Sequence, residues 1–120
     1  MSTEETIPQT LTRRSDFLRA ARSRHVARPG FILQARKRTP DEADGVRIGY
    51  TCSKKVGNAV RRNRAKRRLR AVARDVLPGC GRDGWDYVLI GRPETTQNQP
   101  FDEMVDDLKT ALEKIHGNGT

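Results

Sequence analysis

Residues 54–74 read KKVGNAVRRNRAKRRLRAVAR. The stretch holds ten basic side chains and no acidic one. A run of like charge usually marks a solvated face or a tail, yet this one carries the marks of a helix. Gly57-Asn58 supplies a break and an N-cap, and no Pro or Gly follows until Pro78. At about 100° per residue, Ala65, Leu69, Val72, Ala73 and Val76 fall in one stripe roughly 100° wide. The pattern predicts a helix over 58–76, about 28 Å long at 1.5 Å per residue. Its stripe docks on a core and the rest of its circumference is cationic. Arg62, Asn63, Lys66, Arg70 and Arg74 lie on one flank; Arg61, Arg64 and Arg68 lie on the other. Like charges at i,i+4 repel, so the helix needs an external polyanion, and nucleic acid is the expected one. Arg outnumbers Lys six to one between 61 and 70, which suits two-point phosphate contacts and stacking on bases.

Composition sets the bounds. A chain of 120 residues predicts one domain. Ile, Leu, Val and Phe make up 20% of it, enough for a small core and modest stability. Charge is lopsided: residues 1–74 carry a net +14 and residues 75–120 a net −5. One part faces a polyanion and the other avoids it. Cys52 and Cys80 form no CxxC, and no His stands at metal spacing, so free thiols are expected and a metal site is not. With no signal peptide and no long apolar run, a cytoplasmic protein without a membrane partner is expected.

Taken in order, residues 1–10 are polar and are expected to be a disordered tail. Ser15 is the expected cap of a short helix, 16–23, carrying Phe17, Leu18 and Ala21. His25–Arg28 predicts a short edge strand stopped by Pro29-Gly30. Phe31–Lys37 alternates, with Phe31, Leu33 and Ala35 on one face, and predicts a strand. Residues 39–45 form a turn. Val46–Ser53 alternates again: Val46, Ile48, Tyr50 and Cys52 face one way, Arg47, Gly49, Thr51 and Ser53 the other. The small hydroxyl residues give a polar surface on which RNA can lie; an ordinary solvent face is the alternative. Leu77–Gly84 predicts a loop, and Trp85–Gly91 a central strand, apolar on both faces over 88–90. Pro100 opens a last helix with Phe101, Met104, Val105, Leu108, Leu112 and Ile115 at 3.6-residue spacing, and Gly117 ends it. Its outer side is acidic, so it turns away from RNA. His116 is expected at the surface, and 117–120 are expected to be flexible. The order of elements predicts an α+β sandwich with one mixed sheet.

No protein active site is legible. His25 and His116 stand beside no nucleophile motif, and Asp41, Glu42 and Asp44 cluster in a turn, where acidic residues are common. A two-metal nuclease needs carboxylates set by strands or helices. Composition alone leaves open a ribosomal protein or a general nucleic-acid-binding module.

Ser53-Lys54-Lys55-Val56-Gly57-Asn58-Ala59-Val60, followed by Arg62-Asn63-Arg64-Ala65-Lys66-Arg67, resembles the signature of the bacterial ribonuclease P protein subunit. The match has no gaps. It extends upstream to Ser15-Asp16-Phe17 and downstream to Trp85–Pro93, and covers about residues 11–116 as one RNA-binding domain. The resemblance implies a two-layer sandwich, a mixed four-stranded sheet with a left-handed crossover through the basic helix. It implies two partners, a catalytic RNA and precursor tRNA, and no obligate protein partner. The catalytic RNA cuts off the 5′ leader with Mg²⁺ that is held mainly by that RNA and the substrate. The protein then has no catalytic residue and no metal ligand of its own.

The leader-facing positions of the family map to Phe17, Arg62, Asn63, Lys66 and Arg70, four of them on the single flank read from the helical wheel; Thr51 and Ser53 join them from the strand. Lys54, Lys55, Arg61, Arg64, Arg67 and Arg68 are left for the catalytic RNA. The family often has further aromatics where this chain has Ala21 and Gln34. Recognition of a leader here therefore leans on arginine and hydrogen bonding.

Overall fold

The computed structural model describes residues 8–42 and 44–117. The expected flexible end lies outside these apart from Gly117, and most of the expected N-terminal tail lies outside them too. Elements run β1 (Gln9–Thr10), α1 (Arg14–Ala21), β2 (Arg24–Arg28), β3 (Phe31–Lys37), β4 (Arg47–Thr51), α2 (Ala59–Cys80), β5 (Trp85–Gly91), α3 (Thr95–Asn98) and α4 (Phe101–His116). A single 3-10 turn, Lys54–Val56, joins β4 to α2. The sheet is mixed, in the order β1-β4-β5-β3-β2. β4 and β5 run parallel and α2 crosses between them; β3 pairs antiparallel with β5 and with β2. The α+β class and mixed sheet stand as expected.

The sheet has five strands rather than four. Gln9 and Thr10, read as tail, pair parallel with Arg47 and Ile48. Two polar residues carry no periodicity, so only the open edge of β4 makes them a strand. Inside the sheet, alternation sorts side chains as the sequence implies. Phe31, Leu33, Ala35, Val46, Ile48, Cys52, Tyr87 and Leu89 form one core with the apolar stripes of α2 and α4. The expected stripe of α2 is buried throughout: Ala65, Leu69, Val72, Ala73 and Val76. On the opposite face lie Val88 and Ile90, covered by Leu11, Phe17 and Ala20.

Boundaries moved for identifiable reasons. α1 begins at Arg14 with Arg13 at the cap, not at Ser15, and no side chain caps it. β4 stops at Thr51 because Ser53 turns to accept a hydrogen bond from the Lys55 amide and starts the 3-10 turn. α2 runs on through Pro78 to Cys80 instead of yielding to a loop at Leu77. Proline forfeits one bond to the carbonyl four residues back, but Val76 and Leu77 are buried and the Gly81 amide closes the turn on the Leu77 carbonyl at 2.8 Å. At 22 residues the helix is about 33 Å long. The α3 turn had no sequence signal. Phe101, assigned to the packing stripe of α4, is 40% exposed, and Ala111 takes a core place instead. Gly117 ends α4 as expected, in a left-handed conformation (φ 85°) that suits glycine.

His116 is not a free surface residue. Its Nε2 lies 2.7 Å from the Tyr87 hydroxyl and its ring meets Trp85 edge-on at 4.5 Å. Burial, helped by the charges of Arg82 and Arg24, pushes its pKa down to about 4. Unfolding returns the ring to its ordinary value of 6.5. Below that value the unfolded chain takes a proton that the folded one refuses, so stability is full above about 6.5 and drains as pH falls toward 4. Thermal melts of the wild type and His116→Gln across pH 8 to 4 test this. The variant should lose less on acidification, and parallel curves would contradict the assignment.

Candidate nucleic-acid interface

Strand register places three rows of side chains on the face that carries α1. Ile32, Ile90 and Thr51 lie side by side across β3, β5 and β4, then Gln34, Val88 and Gly49, then Arg36, Asp86 and Arg47. α1 lies over the middle of these rows. Phe17 is set directly on Gly49: a Cβ there would stand 2.6 Å from the ring, so only glycine lets the aromatic sit against the strand. A groove results between α1 and the sheet, lined by Phe17, Leu18, Ala21, Gln34, Thr51 and Ile90 among others. Ala21 and Gln34, where the resemblance would put rings, are thus wall residues of this groove, and they narrow its aromatic surface.

The third row closes one end of the groove as an ionic lattice. Asp86, fully buried, accepts from Arg38 Nη1 at 2.5 Å and from Arg47 at 2.8 and 3.0 Å. Arg36 approaches it at 3.6 Å and pairs with Glu42 at 2.8 Å. Arg36 hydrogen bonds to Glu42 hold that carboxyl down at about 2. Arg47 also reaches Asp16 of α1 at 3.5 Å, tying the helix that carries Phe17 to the sheet. Of the acidic turn residues, Glu42 thus joins the lattice through Arg36.

The other functional flank lies around the edge of β4. β1 pairs only with Arg47 and Ile48, so among the described residues no strand pairs with that edge of β4 beyond Ile48, its other edge being held by β5 throughout. Past that point the α2 flank comes alongside. The guanidinium carbon of Arg70 stands 5.1 Å from the Tyr50 ring centre. Burial raises the Cys52 thiol pKa, and the nearby charges of Lys66 and Arg62 oppose it. The strand therefore runs past Arg70 at Tyr50, and the chain just beyond it feels the charges of Lys66 and Arg62 at Cys52. Arg62 Nε is buried with no hydrogen-bond partner among the described residues. Buried polar groups are normally satisfied; Arg28 Nε, Gln99 Oε1 and His116 Nδ1 are unpaired in the same way, so the orphan donor by itself does not mark a ligand site. Phe17 and Thr51 on one side, and Arg62, Lys66 and Arg70 on the other, form one band round the β4 edge, with Ser53 beyond its end. Asn63 is exposed on the same helix.

The positions left for a second RNA divide. Lys54, Lys55, Arg61, Arg64 and Arg67 are exposed. Asn58 caps α2 by accepting from the Arg61 amide at 3.0 Å. Arg61 and Arg64 border a second hollow with Glu94, Gln97 and Asn98. Arg68 is different. Its Nε donates to the Thr96 carbonyl at 2.9 Å and its Nη2 donates to the Gln99 carbonyl, so it clamps the α3 turn to α2. A helical wheel shows the flank of a residue but not a loop that folds back over it. Tyr50, which sequence reading counted only as a core-facing position, is half-buried and borders the groove.

Comparison with known proteins bears on the family and the fold. The Ribonuclease P family model matches residues 7–116. The chain is 63% identical over 106 residues to the ribonuclease P protein component of Ruegeria pomeroyi, covering 88% of this chain and 85% of that one. It is 49% identical over 108 residues to that of Paramagnetospirillum magneticum, covering 88% and 80%. Among solved structures, the RNase P protein from Thermotoga maritima matches with a TM-score of 0.72 at 27% identity, covering 88% of this chain and 96% of that one. A family match that spans β1 to the end of α4, on a fold that sets the basic signature helix beside β4, has one meaning: the chain belongs to the ribonuclease P protein family.

Proposed function

We propose that this chain is the protein subunit of a ribonuclease P, partner to a catalytic RNA in tRNA processing, and that it binds the 5′ leader of precursor tRNA in the band around β4. Phe17 offers a ring for stacking, Thr51 and Ser53 offer hydroxyls, and Arg62, Asn63, Lys66 and Arg70 take phosphates and base edges. Lys54, Lys55, Arg61, Arg64 and Arg67 face the catalytic RNA. Placing cations between two polyanions lowers their mutual repulsion and strengthens substrate binding. Catalysis belongs to the RNA, with Mg²⁺ held mainly by it and the substrate. The described residues hold no group of three or more His, Cys, Asp or Glu placed to ligate an ion, and the proposal gives Mg²⁺ no protein ligand. No helix among them is long and apolar enough to cross a membrane.

The observation that carries the leader assignment is the Arg70 guanidinium standing over the Tyr50 ring, which sets the basic flank of α2 beside β4. Arg70→Ala tests it, with catalytic RNA present. Affinity for leader-bearing precursor should fall roughly tenfold or more, the worth of one charged hydrogen bond at about 1.5–3 kcal/mol. Affinity for leaderless mature tRNA should hold. Equal losses on both RNAs would refute the leader assignment.

A further inference from the structure

We propose that a notch at the end of this band, between β1, β4 and α2, holds one nucleobase of single-stranded RNA against the ring of Tyr50. The inference rests on the leader reading above and adds a base subsite to it. Pro8 and Thr10 form one wall, Arg70 and Arg74 another, and the buried Ile48 and Ala73 supply apolar surface beside Tyr50. The notch measures about 250 Å³. Pockets for drug-sized ligands run from roughly 300 to 1,000 Å³, so this one suits a single flat group.

Its chemistry matches a base with its flanking phosphates. The Arg70 guanidinium lies over the Tyr50 ring, held there before any ligand arrives, so less freedom is lost on binding. Ring and guanidinium together make a stacking surface that tolerates any base. Arg70 and Arg74 are exposed beside it and carry the charge for phosphates. The need for such a ring is visible nearby. Phe17 is the ring on the α1 face of the groove, where Ala21 and Gln34 line it without rings. Phe17 lies over Gly49 on one face of β4, and Tyr50 packs toward α2 on the other. A leader using both rings passes round the β4 edge at Thr51 and stacks one base on each side.

The test uses the holoenzyme, protein plus catalytic RNA, with Tyr50→Leu, Tyr50→Phe, and precursor tRNAs bearing an abasic site at successive leader positions. Tyr50→Leu should weaken binding of leader-bearing precursor by roughly five- to 150-fold, the worth of one stacked base. It should leave mature tRNA unchanged, and Tyr50→Phe should match the wild type. At one leader position the abasic site should cost the wild type that same factor and cost Tyr50→Leu nothing more. Equal weakening on precursor and mature tRNA, or no position at which the two losses overlap, overturns the subsite. A readout on the wild-type protein guards against a misfolded variant: 2-aminopurine at the same leader position should be quenched on binding, and no quenching at any position overturns the inference. Arg70→Ala and Phe17→Ala run alongside. If they keep leader-dependent losses while Tyr50→Leu shows none, the subsite fails and the leader groove stands. If none of the three is leader-dependent, the leader reading itself fails.

Discussion

Asp86→Ala unfolds most of this protein at temperatures the wild type tolerates. Asp86 is fully buried and is bound by Arg38, whose side chain is also fully buried, and by Arg47. Removing the carboxylate takes from the buried Arg38 guanidinium the counter-charge it holds at 2.5 Å. Breaking a buried pair from one side costs about 3–5 kcal/mol, because the surviving charge keeps its desolvation penalty and loses its partner. For a domain of this size that is a fall in melting temperature of roughly 10 °C or more. Nearby replacements sort the cause. Glu42→Ala removes the outer pair with Arg36 and the hydrogen bonds Glu42 accepts from Thr39, all at the partly exposed rim of the lattice, and surface pairs contribute about 0–1 kcal/mol. It should shift the melt little. Asp86→Ala should also loosen α1, since Arg47 links Asp86 to Asp16. Thermal melts followed by circular dichroism decide the matter. A variant within about 1 °C of the wild type would mean that the lattice adds nothing to stability.

Affinity for the catalytic RNA falls about a thousandfold between 50 and 200 mM salt if roughly six phosphates are neutralised. Each neutralised phosphate releases counterions and contributes about −0.7 to −0.9 to the slope of log K against log salt. The exposed cations assigned to that RNA, Lys54, Lys55, Arg61, Arg64 and Arg67, supply most of that number. The arginines of the lattice should not contribute, since Arg36, Arg38 and Arg47 already face carboxylates. Replacing one exposed arginine of α2 by alanine should flatten the slope by about one unit. Filter-binding titrations at four or five salt concentrations measure it. A slope near zero would end the claim that the helix works by neutralising charge.

What the sequence disclosed, and what it withheld, follows from the range of the forces involved. β3 at 31–37 was read to the residue from its alternation and β5 at 85–91 from its apolar run over 88–90, both local signals. α4 was bounded by Pro100 and Gly117 for the same reason. The basic helix and its buried stripe were read from periodicity, and the resemblance to the family was confirmed. The misses are contacts between distant segments. Nothing in Gln9-Thr10 says strand until β4 is there to pair with it. Nothing at Leu77-Pro78 says helix until the core buries Leu77. The Arg36–Asp86–Arg47 row exists only once three strands lie in register. Arg68 belongs to one cationic flank by its angle, and to the α3 turn by a fold-back 28 residues later.

The order of strands also sets when this molecule can exist. β5 sits between β4 and β3, and those two do not touch each other. As a ribosome extends the chain, β3, β4 and the whole of α2 are made before β5. Until residue 91 emerges, the two halves of the sheet have nothing to join them, and the apolar stripe of α2 has no finished platform. The contacts that complete it are long-range, of the kind that close slowly. A nascent chain thus carries ten cations, unfolded and unshielded, beside a ribosome made largely of RNA. The last quarter of the sequence, net negative and rich in core residues, is what withdraws them from that neighbour and gives them a shape.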